Sequence, residues 1–206
     1  PVATQNLIIA VGGMIVQRIV NALGVTFIAG YTATNKLYGV LEVAAVSYGY
    51  ATATYAGQNL GAKKIRRIRT GVRASALTGV ATACVIMAAM LLFGRGIISS
   101  FISGSAEEVA ESVRIGYEYL TMMSLGLPVL YVLHIYRSAL QGMGNTLMPM
   151  TSGLAEFVMR TGAALTLPGR IGYRGVFWAE ILAWVGADFI LLPSYLRMFA
   201  RMPREE

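Results

Sequence analysis

Charged side chains inside long apolar stretches are the residues of this sequence best placed to carry chemistry. Glu156 and Arg160 are four residues apart, a spacing that puts both side chains on one face of a helix, with the acid toward its N-terminus. The pair is either a buried ion pair that only positions helices, or a switch in which protonation of Glu156 releases Arg160. Charges in such surroundings are costly, so each requires a structural or functional reason.

Two further titratable groups lie in apolar stretches away from this pair. Glu42 has no cation within one turn of its own helix, so it either pairs with Arg18 of an earlier stretch or is kept protonated by desolvation. His134, the one histidine, titrates near neutral pH and precedes Arg137 by one turn. A proton relay and a hydrogen-bonded structural histidine are both compatible with that position.

Polar residues form two other groups inside apolar stretches. Gln17, Arg18 and Asn21 make a patch that either hydrogen-bonds to a neighbouring helix or contacts a substrate. Glu180 and Asp188 are eight residues apart, about 80° around a helix that turns ~100° per residue. We therefore expect both acids on one inward face, in a role that is mainly structural.

Composition and spacing exclude several classes of function. Only 13% of the chain is charged and 56% is hydrophobic, whereas soluble domains are about 25% charged. The net charge of +7 comes mainly from cations at the ends of apolar stretches, as topology signals do, so we expect no nucleic acid partner. A single histidine leaves no His-rich metal site, Ser103 and Ser105 have no base beside them, and Gly142 and Gly144 follow no strand. We expect neither an enzyme nor a cofactor.

Membrane helices must position these residues, because a bilayer core requires about 20 apolar residues per helix. The expected fold class is an all-α membrane protein, a single six-helix lobe over residues 1–206. Pro128 is expected to kink the fourth span, and the first span carries Arg18 near its middle. The predicted spans cover residues 7–30, 37–58, 72–93, 113–140, 147–167 and 175–196.

Small and aromatic residues indicate how the spans pack and where they end. Ala45, Gly49, Ala53 and Gly57 recur every fourth residue, which predicts a ridge that lets a neighbouring helix approach closely. Aromatic residues near predicted span ends are typical of interfacial belts: Tyr31, Tyr38, Tyr173, Trp178 and Tyr195.

The distribution of Lys and Arg predicts that both termini are cytoplasmic, since cytoplasmic loops are enriched in these residues. Ten cations fall at the span ends on the side of the 59–73 corner and five at the opposite ends. The first set is Lys63, Lys64, Arg66, Arg67, Arg69, Arg73, Arg137, Arg197, Arg201 and Arg204, and the second is Lys36, Arg95, Arg114, Arg170 and Arg174.

Several short motifs resemble the multidrug and toxic compound extrusion (MATE) transporters. Gln58-Asn59-Leu60-Gly61-Ala62 follows the second span and leads into a basic corner, and Leu140-Gln141-Gly142-Met143-Gly144-Asn145-Thr146 precedes the fifth span. Asn21 with Gly24, and Glu156 with Arg160, fit the same pattern. Members of that family have twelve spans in two six-helix lobes, and this chain looks like the second, C-terminal lobe.

The resemblance implies half of a secondary antiporter in a bacterial cytoplasmic membrane. Its partners would be the missing N-terminal lobe, the lipid bilayer and small organic cations, and a proton or sodium gradient would drive export through rocking of the two lobes. We expect seven residues to contact the substrate or the coupling ion: Glu42, Gln17, Arg18, Asn21, His134, Glu156 and Arg160. We expect a structural role for five residues of the motifs: Gln58, Asn59, Gly61, Gly142 and Gly144.

One departure from the family favours protons over sodium as the coupling ion. The sodium-coupled branch carries acids in the first and fourth spans of this lobe, whereas here the first span has Arg18 and no acid. The fourth has Glu118 near its outer end and His134 deeper. Two alternatives remain, a flippase for lipid-linked saccharides of the same superfamily and a non-transporting six-helix channel or scaffold. Only Arg18 and Arg160 lie deep in spans, which favours drug export over a flippase lined with many cations.

Overall fold

Every regular element in the described part of the chain is an α-helix. The structure, a computed structural model, describes residues 2–200 and 202. Six long helices and one short helix follow each other along the chain. They are α1 (Val2–Asn21), α2 (Val25–Gly61), α3 (Ile65–Ser99), α4 (Ala106–Gly142), α5 (Leu147–Thr166), α6 (Pro168–Ile171) and α7 (Arg174–Ala200).

Four of the long helices, α1, α3, α4 and α7, are long and apolar enough to cross a membrane by length and composition. Helices α2 and α5 fall outside this group because polar side chains lower their mean hydropathy, among them Glu42 in α2 and Glu156 and Arg160 in α5. These polar side chains are the ones that line the cavity described below, which is where a membrane protein tolerates them.

The first predicted span was wrong in its extent. Residues 7–30 do not form one helix, because α1 ends at Asn21 and α2 begins at Val25. The break falls at Gly24, whose φ of 94° is open to glycine but strained for other residues. As a result, Gln17, Arg18 and Asn21 lie in the last turns of α1 rather than in the middle of a span.

Helix α2 continues through the turn that the sequence indicated between the first two spans. Residues 31–36 are helical, and α2 reaches 37 residues in length. Thr34, which is fully buried, donates a hydrogen bond to the carbonyl of Gly116 in α4, at 2.7 Å. Tertiary contact with α4 therefore overrides the polar character of Asn35 and Lys36.

Close packing of α2 on α4 depends on small residues, as the ridge in the sequence predicted. Ala45 and Gly49 are both buried, and Gly49 lies against His134 and Ser138 of α4. A Cβ atom added to Gly49 would lie 2.7 Å from Oγ of Ser138, and one added to Gly57 would lie 3.1 Å from the carbonyl oxygen of Gly142. The two helices are close enough that side chains larger than these would not fit between them.

Helix α4 is the central helix of the lobe and α3 is peripheral. About half of the apolar window of α4 is buried (56%), against 11% for α3. Ser105 and Glu108 form a capping box at the start of α4. The central position of α4 places His134 and Arg137 where four other helices meet.

Stacked aromatic rings join α2, α4 and α7 near the N-terminal ends of α2 and α4. Tyr31 stacks on Tyr119 with ring centroids 4.8 Å apart, and Tyr119 stacks on Phe177 at 4.6 Å. Tyr31 and Tyr195 are buried, at 5% and 6% exposure. The prediction that these two tyrosines form an interfacial belt was therefore wrong, because helix packing encloses them.

Candidate functional site

A polar cavity of about 360 Å³ lies among α1, α2, α4, α5 and α7. Such a concave site with a few convergent polar groups is the default place for a ligand. Its charged and titratable side chains come from four helices, and two aromatic side chains complete the wall. The charged and titratable residues are Glu42, His134, Arg137, Glu156, Arg160 and Glu180, and the aromatic ones are Tyr38 and Trp184.

Glu156 is the centre of the charge network in this cavity. Its two carboxylate oxygens accept from different guanidinium groups, Oε2 from Nη2 of Arg137 at 2.7 Å and Oε1 from Nη2 of Arg160 at 3.0 Å. Arg137 also lies 3.4 Å from Oγ of Ser152. All three charged side chains are less than 10% exposed. The contact with Arg137 therefore ties α4 to α5, whereas the contact with Arg160 lies within α5.

Arg160 extends the network to a third helix. Its Nη2 lies 2.8 Å from Oε2 of Glu180 in α7, and the same nitrogen donates a hydrogen bond to Oε1 of Glu156. Arg160 thus has two carboxylate partners, whereas Arg137 has one described ion-pair partner, Glu156. This asymmetry means that neutralising Glu156 leaves Arg160 paired and Arg137 without its carboxylate.

Carboxylates outnumber guanidinium groups on the cavity wall. Three acids, Glu42, Glu156 and Glu180, face two arginines, so the ionised site is negative when His134 is neutral. Nε of Arg137 and Nε of Arg160 are buried, with no hydrogen-bond partner among the described residues. Buried ion pairs offset their desolvation only when the geometry is good and the remaining polar atoms are satisfied. This network meets the first condition and not the second.

Glu42 pairs with His134 and not with Arg18. Oε1 of Glu42 lies 3.7 Å from Nε2 of His134, which connects α2 to α4 across the cavity. The prediction that Glu42 pairs with Arg18 was wrong, since Arg18 is exposed in the last turn of α1. Glu42 is 39% exposed, and this exposure leaves it accessible from the open side of the cavity.

An aromatic pair stands beside the carboxylates. The rings of Tyr38 and Trp184 stack with centroids 5.9 Å apart and an interplanar angle of 14°. Both side chains line the cavity with Glu42 and Glu180. The interpretation of Tyr38 as an interfacial belt residue was therefore wrong. Aromatic faces next to acids form surroundings that favour a cation, because the ring face is electronegative.

The patch on α1 is not brought to the cavity. Gln17, Arg18 and Asn21 are exposed, and Nε2 of Gln17 donates to Oδ1 of Asn21 at 2.8 Å. The side chains of α1 that line the cavity are Asn6 and Ile9, two to three turns earlier. A substrate contact of the α1 patch remains a prediction for a surface outside the described cavity.

The glycine motifs lie at the opposite end of α2 and α4 from the aromatic stack. Asn59 is buried and its Nδ2 donates to the carbonyl of Tyr55 at 2.8 Å, whereas Gln58 is exposed. Gly142 lies against the backbone of Ala53, and Gly144 has a φ of 83° in the turn before α5. These positions are consistent with the structural role that we expect for the motif.

Sequence reasoning missed the role of Arg137 and understated that of Asp188. Arg137 was counted among the cations at span ends, yet it is 7% exposed inside the charge network. Its position three residues after His134 was the available signal. Asp188 is 8% exposed, two turns from Glu180 on α7, and its Oδ1 has no hydrogen-bond partner among the described residues. Of the other cations counted there, Arg201 and Arg204 lie outside the described residues.

A second ion cluster lies on α4 near its N-terminus. Glu118 forms an ion pair with Arg174 and accepts a hydrogen bond from the hydroxyl of Tyr173 at 2.9 Å. Arg114 forms an ion pair with Glu111 at 2.6 Å. Glu118 therefore ties α4 to the start of α7 and does not reach the cavity. No group of three or more His, Cys, Asp or Glu side chains within the described residues is arranged to hold a metal ion.

Comparison with known proteins identifies a family model, described as MatE, that matches residues 1–164. A curated relative is the "Probable multidrug resistance protein YpnP" of Bacillus subtilis (strain 168). It is 25% identical over 177 residues, an alignment that covers 85% of this chain and 39% of the relative.

Solved structures show the same fold. One is the outward-facing conformation of a multidrug resistance MATE family transporter of the MOP superfamily, with a TM-score of 0.85 and 15% sequence identity. The alignment covers 95% of this chain and 43% of that transporter. Another is a MOP superfamily transporter from Pyrococcus furiosus, with a TM-score of 0.84, 15% identity, and 94% and 42% covered. The chain therefore spans about two fifths of the length of these proteins.

Proposed function

This chain belongs to the MatE family, whose members are membrane transporters, and from that premise we propose that it is the second, C-terminal six-helix lobe of a secondary antiporter. The complete protein would export amphipathic organic cations in exchange for protons, or for sodium. The other lobe of the same transporter would close the cavity. Coverage of about two fifths of the full-length relatives supports the assignment to one lobe.

The proposed topology places six spans in the cytoplasmic membrane with both termini on the cytoplasmic side. The corner between α2 and α3 carries six cations in residues 63–73, which supports a cytoplasmic location for it. Helices α2 and α5 would complete the six spans, their polar side chains facing the cavity rather than lipid. Localisation in a bacterial inner membrane is part of the same proposal.

One observation carries the proposed mechanism, the sharing of Glu156 by two buried arginines. A proton on Glu156 would remove the charge that holds Arg137, while Arg160 would keep Glu180. Arg137 would then be a buried cation without its ion-pair partner, which is costly, and its movement would shift α4 relative to α5. Protonation would thereby favour one of two arrangements of the lobe, as a coupled carrier requires.

The substrate would bind on the open side of the same cavity. Glu42 and Glu180 supply negative charge beside the stacked rings of Tyr38 and Trp184, and an organic cation has both a charge and an apolar body to match them. Because Glu42 also faces His134, a cation arriving at Glu42 would compete with protonated His134. Substrate and proton would thus oppose each other at one site.

Replacing Glu42 by Gln is expected to weaken the apparent affinity for an organic cation about tenfold, the effect of losing one charge-assisted contact. Folding should be unaffected, because this side chain is 39% exposed. Efflux from liposomes as a function of substrate concentration measures the change, and Glu107→Gln on the exposed start of α4 is the control. Unchanged affinity would remove Glu42 from the substrate site.

The proposed antiport is tested on the full-length transporter in liposomes loaded with a fluorescent organic cation. An imposed proton gradient, and then a sodium gradient, should be compared for their ability to drive efflux. We expect efflux under the proton gradient and little under sodium. Efflux under the sodium gradient alone would show that sodium, and not the proton, is the coupling ion. No efflux under either gradient would contradict the antiporter and make lipid-linked saccharide the next substrate to test.

A further inference from the structure

The corner between α2 and α3 presents a dense cluster of exposed cations. Lys63, Lys64, Arg67, Arg69 and Arg73 are all exposed, and none of them forms an ion pair with a residue that the structure describes. Topology signals require positive charge but no particular arrangement of it. The arrangement here is specific, because it lies at the end of a groove.

The groove is a cavity of about 290 Å³ between α2 and α3, lined by Ala51, Thr52, Tyr55, Gly71 and Ser75. The Tyr55 hydroxyl donates to the carbonyl of Arg67 at 3.2 Å, and the hydroxyls of Thr52 and Ser75 are 2.7 Å apart. A Cβ atom on Gly71 would lie 2.1 Å from the Tyr55 ring. The absence of a side chain at position 71 therefore keeps the ring against α3 and leaves the groove open.

Helical spacing aligns the groove with the cations. Arg67, Gly71 and Ser75 follow each other at intervals of four residues, so they lie along one face of α3. Beyond them α3 becomes a strongly apolar helix, exposed over most of its surface, and Val85, close to the same line, is 70% exposed. A molecule lying along this face would meet cations first, then hydroxyl groups, and then an apolar surface.

We propose that this groove is a binding site for an anionic phospholipid. The phosphate would bind the guanidinium of Arg67, whose planar fork matches phosphate oxygens, with Lys63 and Lys64 beside it. One acyl chain would lie in the groove and along the apolar face of α3. Charge complementarity selects an anionic lipid, and the membrane location of the family supplies it at high local concentration.

Lipid binding to the purified full-length transporter tests this site by native mass spectrometry with phosphatidylglycerol, phosphatidylcholine or inorganic phosphate as the probe. We expect phosphatidylglycerol to bind preferentially, and Arg67→Gln to weaken its binding about tenfold through the loss of charge-assisted hydrogen bonds. The matched control is Arg95→Gln, an exposed cation near the other end of α3. Equal binding of both lipids, or equal losses in both variants, would overturn the proposal.

A second variant separates the groove from the cations. Ala51→Phe would fill the apolar part of the groove and leave every cation in place, so we expect it to weaken phosphatidylglycerol binding as well. Retained lipid binding in this variant, or displacement of the lipid by inorganic phosphate at millimolar concentration, would show a site for phosphate alone. The assay uses no ion gradient, so its failure leaves the proposed antiport intact, and failure of antiport leaves this result intact.

Discussion

Glu156→Gln is expected to abolish proton-driven export and to destabilise the protein by about 3–5 kcal/mol, the usual effect of breaking a buried ion pair. The neutral amide keeps the shape of the side chain but removes the charge that two buried guanidinium groups share. Arg160 retains Glu180, so most of the cost should come from Arg137. Thermal unfolding in detergent and liposome efflux measure the two effects.

A double variant distinguishes a charge effect from general damage. The variant that combines Glu156→Gln with Arg137→Gln neutralises both members of the pair that links α4 to α5. We expect much of the stability to return while export stays lost. Membrane insertion should be unchanged in both variants. Wild-type export by Glu156→Gln, or stability equal to that of Glu107→Gln, would contradict a coupling role for this carboxylate.

Local patterns made part of the site predictable. The spacing of Glu156 and Arg160 indicated one helical face, and the two side chains lie 3.0 Å apart. The positions of Arg137 and Glu180 around the same pair were not predictable, because they depend on how α4 and α7 pack against α5. Helical periodicity specifies the face of a residue, whereas the identity of its partner is decided by tertiary contacts.

The extents of the helices were predictable where chain breaks are marked by several residues together. Gly142 ends α4 and Gly144 lies in the turn that follows, and α5 begins at Leu147 as expected. The break before α2 depends on Gly24 alone, one of 23 glycines in the chain. Most glycines here lie within helices, so glycine by itself did not indicate where the first helix ends.

Gly142→Ala is expected to destabilise the protein by about 1–3 kcal/mol through overpacking. The added Cβ would lie 2.3 Å from the carbonyl oxygen of Ala53 and 2.8 Å from its Cα. These are backbone atoms, so α2 and α4 would have to separate at this point. Thermal unfolding in detergent should show the loss, and export should fall because the cavity residues Glu42 and His134 lie on these two helices.

Gly61→Ala is the matched control, since the space around Gly61 is open and its backbone is an ordinary helical one. Alanine has the higher helix propensity, so this variant should be as stable as the native protein or slightly more stable. The comparison tests whether the two motif glycines differ in what requires them. Gly142 lies against another backbone, whereas only the sequence resemblance singles out Gly61. Equal losses at both positions would mean that the close approach of α2 and α4 is not what Gly142 provides.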